Sequence, residues 1–148
     1  MEIADLLGPE RVALDAKARD KAQVLRLVAD RLANTGPSSA AIEASLDARE
    51  TLGSTGLGRG FALPHARIDG LDRFIGAFFR LARPIDFAAI DGAPVDLVFG
   101  LLIPTGNDAA AIATLAAVAR LGRDPAVTDR LRRCRDPLEA LTALTTRL

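Results

Sequence analysis

Cysteine, histidine and aromatic residues are scarce in this sequence of 148 residues, which has six phenylalanines and neither tryptophan nor tyrosine. The single cysteine, Cys134, cannot form an internal disulfide, and its apolar helical neighbourhood indicates a small buried side chain. One cysteine and one histidine, His65, do not supply the set of ligands that a zinc site requires. The sequence therefore predicts neither a metal site nor a cofactor.

An excess of charge of one sign is also missing. Nineteen basic and nineteen acidic side chains give a formal net charge of zero. A basic surface with interleaved aromatic residues is the usual mark of a nucleic-acid-binding protein. Binding of DNA or RNA is therefore not expected.

Long apolar segments are absent as well. The longest strongly apolar run, Leu97–Ile103, is far shorter than the ~20 residues that span a membrane. The first ten residues, MEIADLLGPE, lack the basic region of a secretion signal. These features predict a cytoplasmic protein without membrane insertion. The length fits one domain, predicted to cover residues 1–148.

A glycine-rich stretch precedes the only histidine. Residues 49–67 read RETLGSTGLGRGFALPHAR, with glycines at 53, 56, 58 and 60. Successive backbone N–H groups in a tight glycine turn form a concave anion site, to which serine and threonine add hydroxyl donors. We therefore predict that Gly53, Ser54, Thr55 and Gly56 bind a phosphate group.

Two common phosphate loops do not fit this stretch. A Walker-type loop requires Gly-Lys-Ser/Thr after the glycines, and that sequence is absent. The dinucleotide-binding pattern GxGxxG is also absent, and the stretch follows a predicted helix instead of a strand. The glycines must serve another kind of phosphate chemistry.

His65 is the candidate nucleophile. Pro64 stiffens the backbone before it, and a neutral imidazole can attack a phosphorus or acyl centre without a separate base. An ordinary structural histidine is the alternative, which its place after the glycine loop disfavours. Arg49 has two interpretations, as a ligand of phosphate or as a cation stabilised at a helix C-terminus.

Alternating apolar patterns predict helices and strands in alternation, with one strand apolar on both faces. The predicted fold is a three-layer α/β/α sandwich. Asn107 or Asp108 is expected to cap the helix after the central strand, as Ser38 or Ser39 and Asp124 do elsewhere. The predicted helices cover 18–33, 39–49 and 109–121, with two more after Asp124 and Asp136; the predicted strands cover 11–14, 61–64, 73–81 and 95–103.

The motif residues resemble the mannitol/fructose-type enzyme IIA domains of the bacterial phosphotransferase system, above all their nitrogen-regulatory members. The resemblance rests on the pair Arg49-Glu50, the sequence GSTG at 53–56, two further glycines and Pro64-His65. The stretch Pro84–Pro104 is also similar to the nitrogen-regulatory members. The resemblance covers most of the chain, agrees with the three-layer sandwich, and implies a mixed, roughly five-stranded sheet flanked by helices.

By this resemblance the protein is a phosphotransferase of low turnover with a regulatory role. It implies that His65 accepts a phosphoryl group from an HPr-like phosphocarrier and that Arg49 steadies it. Regulated targets, such as kinases or ion transporters, are implied as partners. Arg59 and Arg67 are expected at the rim, guiding an acidic partner surface.

Two other functions remain open at this point. A sugar-specific enzyme IIA would pass its phosphoryl group to a cysteine of an enzyme IIB. A hydrolase would use His65 with Ser54 or Asp69, although no oriented triad is evident.

The sequence departs from the family pattern in two places. Family members often carry a second histidine near the positions of Ala111 and Ala113, so a role for a second imidazole is absent or replaced. Many relatives have glycine at the position of Ala66, where a positive φ would strain alanine.

Overall fold

The structure, a computed structural model, describes residues 2–33 and 36–145. The predicted domain limits, residues 1 and 148, lie outside this described part. Two short 3₁₀ helices, Ile3–Asp5 and Pro9–Arg11, precede the first strand. The strands are β1 (Val12–Ala16), β2 (Gly56–Gly58), β3 (Phe61–Ala62), β4 (His65–Ile68), β5 (Ile75–Ile85) and β6 (Val95–Pro104). The helices are α1 (Lys21–Leu32), α2 (Ser39–Thr51), α3 (Asp108–Arg123), α4 (Pro125–Arg133) and α5 (Pro137–Thr145).

A six-stranded mixed sheet forms the middle layer. Its order is β1-β5-β6-β3-β2, and β4 also pairs with β6. The β5–β6 and β2–β3 pairs are antiparallel, whereas β1 pairs with β5 in parallel and both β3 and β4 pair with β6 in parallel. The predicted mixed sheet is confirmed, with six strands instead of roughly five.

The additional strand arises because β3 and β4 are two parts of one path along β6. Phe61 and Ala62 pair with Leu97 and Val98, and His65–Ile68 pair with the next part of β6. Pro64 lies at the break because its nitrogen has no proton to donate to the ladder, although its carbonyl oxygen still accepts from the Leu101 amide at 3.0 Å. The histidine therefore begins a new strand immediately after the interruption.

Strand β6 is buried on both faces, as predicted. Val98 and Leu102 belong to the core under α1 and α2, whereas Leu97, Phe99 and Leu101 belong to the core under the other three helices. The two cores lie on opposite faces of one sheet, which confirms the three-layer arrangement. Burial of this kind is the main source of stability in such a fold.

Side-chain caps set the beginnings of the helices. Ser38, Asn107 and Asp124 accept hydrogen bonds from backbone amides at the starts of α2, α3 and α4, as the sequence predicts. Helix α1 begins at Lys21 and not at residue 18, because the Asp20 carboxylate accepts from the Gln23 amide and so acts as the cap.

Strand β5 continues to Ile85, beyond the predicted end at residue 81. It contains Pro84, which cannot donate to the ladder. The register with β6 shifts between Arg80 and Ile85, and an irregularity of this kind allows a strand to include a proline.

Cys134 is buried, as predicted, and its thiol donates to the Leu131 carbonyl oxygen at 3.1 Å. Burial raises the pKa of the Cys134 thiol, which keeps it protonated. Within residues 2–33 and 36–145, no helix is long and apolar enough to cross a membrane.

Close packing of α3 on β3 generates the first testable prediction. A Cβ atom added at Gly122 would lie 2.4 Å from the ring of Phe61, which is fully buried. Gly122→Ala should therefore destabilise the protein by about 1–3 kcal/mol, although alanine in a helix normally stabilises by about 1 kcal/mol relative to glycine. The free energy of unfolding in urea, measured for both proteins, gives the sign of this change.

The double variant Gly122→Ala/Phe61→Leu serves as the control. A smaller side chain at position 61 should recover part of the loss, because it relieves the contact. A more stable Gly122→Ala protein would show that the ring moves aside at little cost.

Candidate functional site

The imidazole of His65 lies half-buried at the first residue of β4. Its Nδ1 atom is 2.8 Å from the carbonyl oxygen of Leu63, two residues earlier. A carbonyl oxygen can only accept a hydrogen bond, so Nδ1 carries the proton and donates. The lone pair of the neutral ring is therefore on Nε2.

A cavity of about 500 Å³ surrounds this histidine. Its walls come from the last turns of α2, from β4, from the end of β6 and from α3. The lining residues are Ser45, Ala48, Arg49, Leu52, His65, Ala66, Arg67, Ile103 and Leu115. Another groove of about 480 Å³ lies between α4 and α5, but it contains no histidine and is not near this chemistry.

The pKa of His65 is held below its ordinary value of 6.5. Burial is the main cause, because it disfavours the charged ring, and the nearby cations Arg49 and Arg67 lower it further. The Leu63 carbonyl and the Glu50 carboxylate act in the opposite direction. At neutral pH the ring is therefore uncharged, as a nitrogen nucleophile must be.

Arg49 reaches the same cavity from the last turn of α2. Its Nη1 atom donates to the Gly53 carbonyl oxygen at 2.9 Å. The guanidinium has further donors in a fixed planar fork, which suits phosphate oxygens. The structure thus brings together His65 and Arg49, the two residues predicted for chemistry.

The predicted phosphate loop has other hydrogen-bond partners. The Gly53 amide donates to the Glu50 carbonyl oxygen at 3.1 Å, and the Gly56 amide donates to Ser54 Oγ at 3.1 Å. Ser54 Oγ donates to the Phe87 carbonyl oxygen at 2.7 Å. None of these three residues lines the His65 cavity.

Thr55 is also occupied, since both its amide and its hydroxyl donate to the Glu50 carboxylate. Phosphate binding by this loop stays a prediction, and it would require these bonds to open. Gly53 has a φ of 149°, which favours glycine, whereas a Cβ atom at Gly56 would lie 2.8 Å from that of Ala89. Glycine at positions 53 and 56 is thus explained by backbone conformation and by close packing, without a bound phosphate.

Glu50 is the site residue to which the sequence reasoning gave no role. It is 8% exposed and forms an ion pair with Lys21 at 2.6 Å. A signal was present, because Ile42, Leu46 and Glu50 recur every four residues and so share the buried face of α2. A carboxylate on a buried face needs hydrogen-bond or ion-pair partners. Those of Glu50 are Lys21 and Thr55, which both lie outside α2.

The two arginines predicted at the rim, Arg59 and Arg67, differ in their position relative to the cavity. Arg67 lines the cavity and forms an exposed ion pair with Asp108, at the start of α3, at 2.9 Å. Arg59 does not line the cavity; its backbone binds Asp91 and Arg132. Only Arg67 is therefore placed at the rim of the histidine site.

The structure bears differently on the two positions at which the sequence departs from the family pattern. Ala66 is an ordinary strand residue paired with Leu102, so the expected strain from a positive φ is wrong. Neither Ala111, which is buried, nor Ala113, which is exposed, lines the His65 cavity. Within the described residues, no group of histidine, cysteine or carboxylate side chains is arranged to hold a metal ion.

Comparison with known proteins agrees with the predicted resemblance. Residues 5–146 match the family described as "Phosphoenolpyruvate-dependent sugar phosphotransferase system, EIIA 2". A nitrogen regulatory protein of Bradyrhizobium diazoefficiens is 44% identical over 92% of this chain and 90% of its own length. A nitrogen regulatory protein of Pseudomonas aeruginosa is 39% identical over 89% and 87%.

A solved structure shows the same fold. The crystal structure of nitrogen regulatory protein IIA-Ntr from Neisseria meningitidis superimposes with a TM-score of 0.93 at 33% identity. The match covers 97% of this chain and 99% of that one. The similarity in sequence and the similarity in fold thus both relate this chain to nitrogen regulatory proteins.

The low pKa of His65 can be tested directly, because a chain with one histidine gives one imidazole signal in an NMR titration. The midpoint should lie below 6.5. Arg49→Gln should raise it by removing a nearby cation, and Arg67→Gln should raise it less, since Arg49 has the larger effect. Arg59→Gln is the matched control and should leave it unchanged.

The same shift has a consequence for stability. The folded protein binds a proton on His65 less readily than the unfolded chain, so the stability that this group contributes is lost as pH falls below 6.5. A midpoint at or above 6.5 would contradict the proposed effect of burial.

Proposed function

Since the chain belongs to the EIIA 2 family of the phosphoenolpyruvate-dependent sugar phosphotransferase system, we propose that His65 is its phosphoryl acceptor. The donor is the phosphohistidine of a small HPr-like carrier protein. The phosphorylation state then controls binding to regulated target proteins. One observation carries this proposal: an uncharged imidazole whose lone pair is on Nε2 shares a cavity with an arginine.

The transfer step follows from the tautomer. The Nε2 lone pair of His65 attacks phosphorus while the bond from phosphorus to the donor nitrogen breaks, and the donor imidazole leaves with that electron pair. The proton on Nδ1 stays in place. Bond formation at Nε2 makes the ring positive, and the hydrogen bond to the Leu63 carbonyl stabilises that positive ring.

Arg49 has the electrostatic role. The oxygens of the transferred phosphoryl group carry its negative charge, and a guanidinium in the same cavity offsets part of it. Arg67 adds positive charge at the rim, where it guides the carrier during association. Neither role requires a metal ion.

Regulation uses the charge that phosphorylation adds. A phosphoryl group brings about −1.5 to −2 charges, enough to change which surfaces bind around His65. Leu52, which lines this cavity, is 84% exposed and offers apolar area to a partner. The relatives described above are named nitrogen regulatory proteins, which favours target regulation over a sugar-specific role.

The hydrolase alternative has little support. Ser54 is hydrogen-bonded to the Phe87 carbonyl, and neither Ser54 nor Asp69 lines the cavity. The two groups that a hydrolase would use with His65 are therefore not placed to form a triad with it.

Intact mass spectrometry tests the proposal. After incubation with phosphoenolpyruvate, enzyme I and an HPr-like carrier, the protein should gain one acid-labile phosphoryl group, which His65→Ala should abolish. Arg49→Gln should slow its formation by about 100-fold, as loss of a charge-stabilising donor does in other sites. Arg59→Gln is the matched control and should react at the rate of the unmodified protein.

Three outcomes have distinct meanings. An adduct that persists in His65→Ala would contradict the acceptor assignment, and no adduct with an active donor would contradict the carrier function. Efficient onward transfer to a cysteine of an enzyme IIB would identify the sugar-specific alternative.

A further inference from the structure

The buried carboxylate of Glu50 holds together segments that are far apart in sequence. Lys21 contributes its ammonium group from the start of α1, at 2.6 Å, and Thr55 contributes an amide and a hydroxyl. A carboxylate that is 8% exposed is costly to bury unless it is paired and hydrogen-bonded in this way. The chain between Glu50 and Thr55 is therefore closed into a tight turn.

A second set of contacts fixes the same turn from the other side. Ser54 Oγ donates to the Phe87 carbonyl oxygen at 2.7 Å and accepts from the Gly56 amide. The ammonium group of Lys21 also lies 4.8 Å from the centre of the Phe87 ring, within range of a cation–π contact. The serine and threonine of the GSTG motif thus anchor the turn to two different parts of the protein.

The closed turn presents the Gly53 carbonyl oxygen to Arg49. The Gly53 amide donates to the Glu50 carbonyl oxygen, and the Gly53 carbonyl accepts from Arg49 Nη1 at 2.9 Å. A free arginine side chain has many rotamers, and holding it in one of them before reaction avoids that loss of entropy during transfer. The turn therefore restrains the cation of the histidine cavity.

We infer that Thr55, through Glu50, is a positioning residue that holds the Arg49 guanidinium in the His65 cavity, and not a direct ligand of the phosphoryl group. This inference rests on the proposed function of His65. It gives the two hydroxyls of the loop and the buried carboxylate of Glu50 a role in positioning an arginine. It also explains why the loop amides are already bonded inside the protein.

Two other roles for Thr55 make different predictions. A direct phosphate ligand would contribute to transfer even when Arg49 is absent. A merely structural residue would change stability without changing the rate or the titration of His65. A double-mutant cycle separates these possibilities, because residues that act through one another have non-additive effects.

The experiment combines Thr55→Val, which keeps the shape but removes the hydroxyl, with Arg49→Gln. Single-turnover phosphorylation by the HPr-like carrier is followed by intact mass, and the His65 titration is followed by NMR. Thr55→Val should slow transfer by about three- to tenfold, as small misplacements of a catalytic group do, and it should raise the pKa of His65. The double variant should match Arg49→Gln alone in both measurements.

Control variants make the result specific. Thr55→Ser restores a hydroxyl and should recover the rate. Thr128→Val removes the hydroxyl of another buried threonine, which lies in α4, and should leave transfer and titration unchanged. If Thr55→Val does not fold, Ser54→Ala opens the turn at the Phe87 contact and should give the same pattern.

The inference is overturned if Thr55→Val slows transfer by the same factor with and without Arg49, or if it leaves both the rate and the titration unchanged. If the unmodified protein accepts no phosphoryl group, the proposed function is wrong. The titration still tests the positioning role in that case, since it requires no transfer.

Discussion

Strand β6 must be covered on both of its faces, and the rest of the fold follows from this requirement. Its apolar side chains alternate between two cores, so helices have to lie above and below the sheet. Its two edges are covered by β5 on one side and by the broken path of β3 and β4 on the other. The break in that path, at Leu63 and Pro64, is where His65 begins its strand. The central strand therefore sets the position of the site as well as the layers around it.

The features that depend on local pattern could be predicted from sequence. The apolar run of β6, buried on both faces, and the caps at Ser38, Asn107 and Asp124 are of this kind. Arg49 and His65, which the family resemblance relates, line one cavity. The early end predicted for β5 was wrong because proline usually ends a strand, and only the irregular register with β6 shows how this one is accommodated. The predicted start of α1 at residue 18 was also wrong, because the Asp20 side chain caps the helix and α1 therefore begins at Lys21.

The hydrogen bonds of the GSTG loop could not be predicted in the same way. A glycine turn with two hydroxyls has the composition of an anion site whether its donors face a ligand or a buried carboxylate. Phe87, which accepts from Ser54, is 33 residues away from it, and Lys21, which pairs with Glu50, lies in α1. No local sequence pattern relates these residues to the loop. What distinguishes the two cases is the burial of Glu50, a property of the assembled helix and loop.

The hydrogen bond from His65 Nδ1 to Leu63 joins residues two positions apart, so the orientation of the ring is encoded in a three-residue segment of its own chain. Helix α3 contributes nothing to that bond. The orientation of the ring therefore does not depend on residues 111 and 113 of that helix, which are both alanine. Substitutions in α3 can therefore alter that wall of the cavity while the hydrogen bond that orients the ring stays intact.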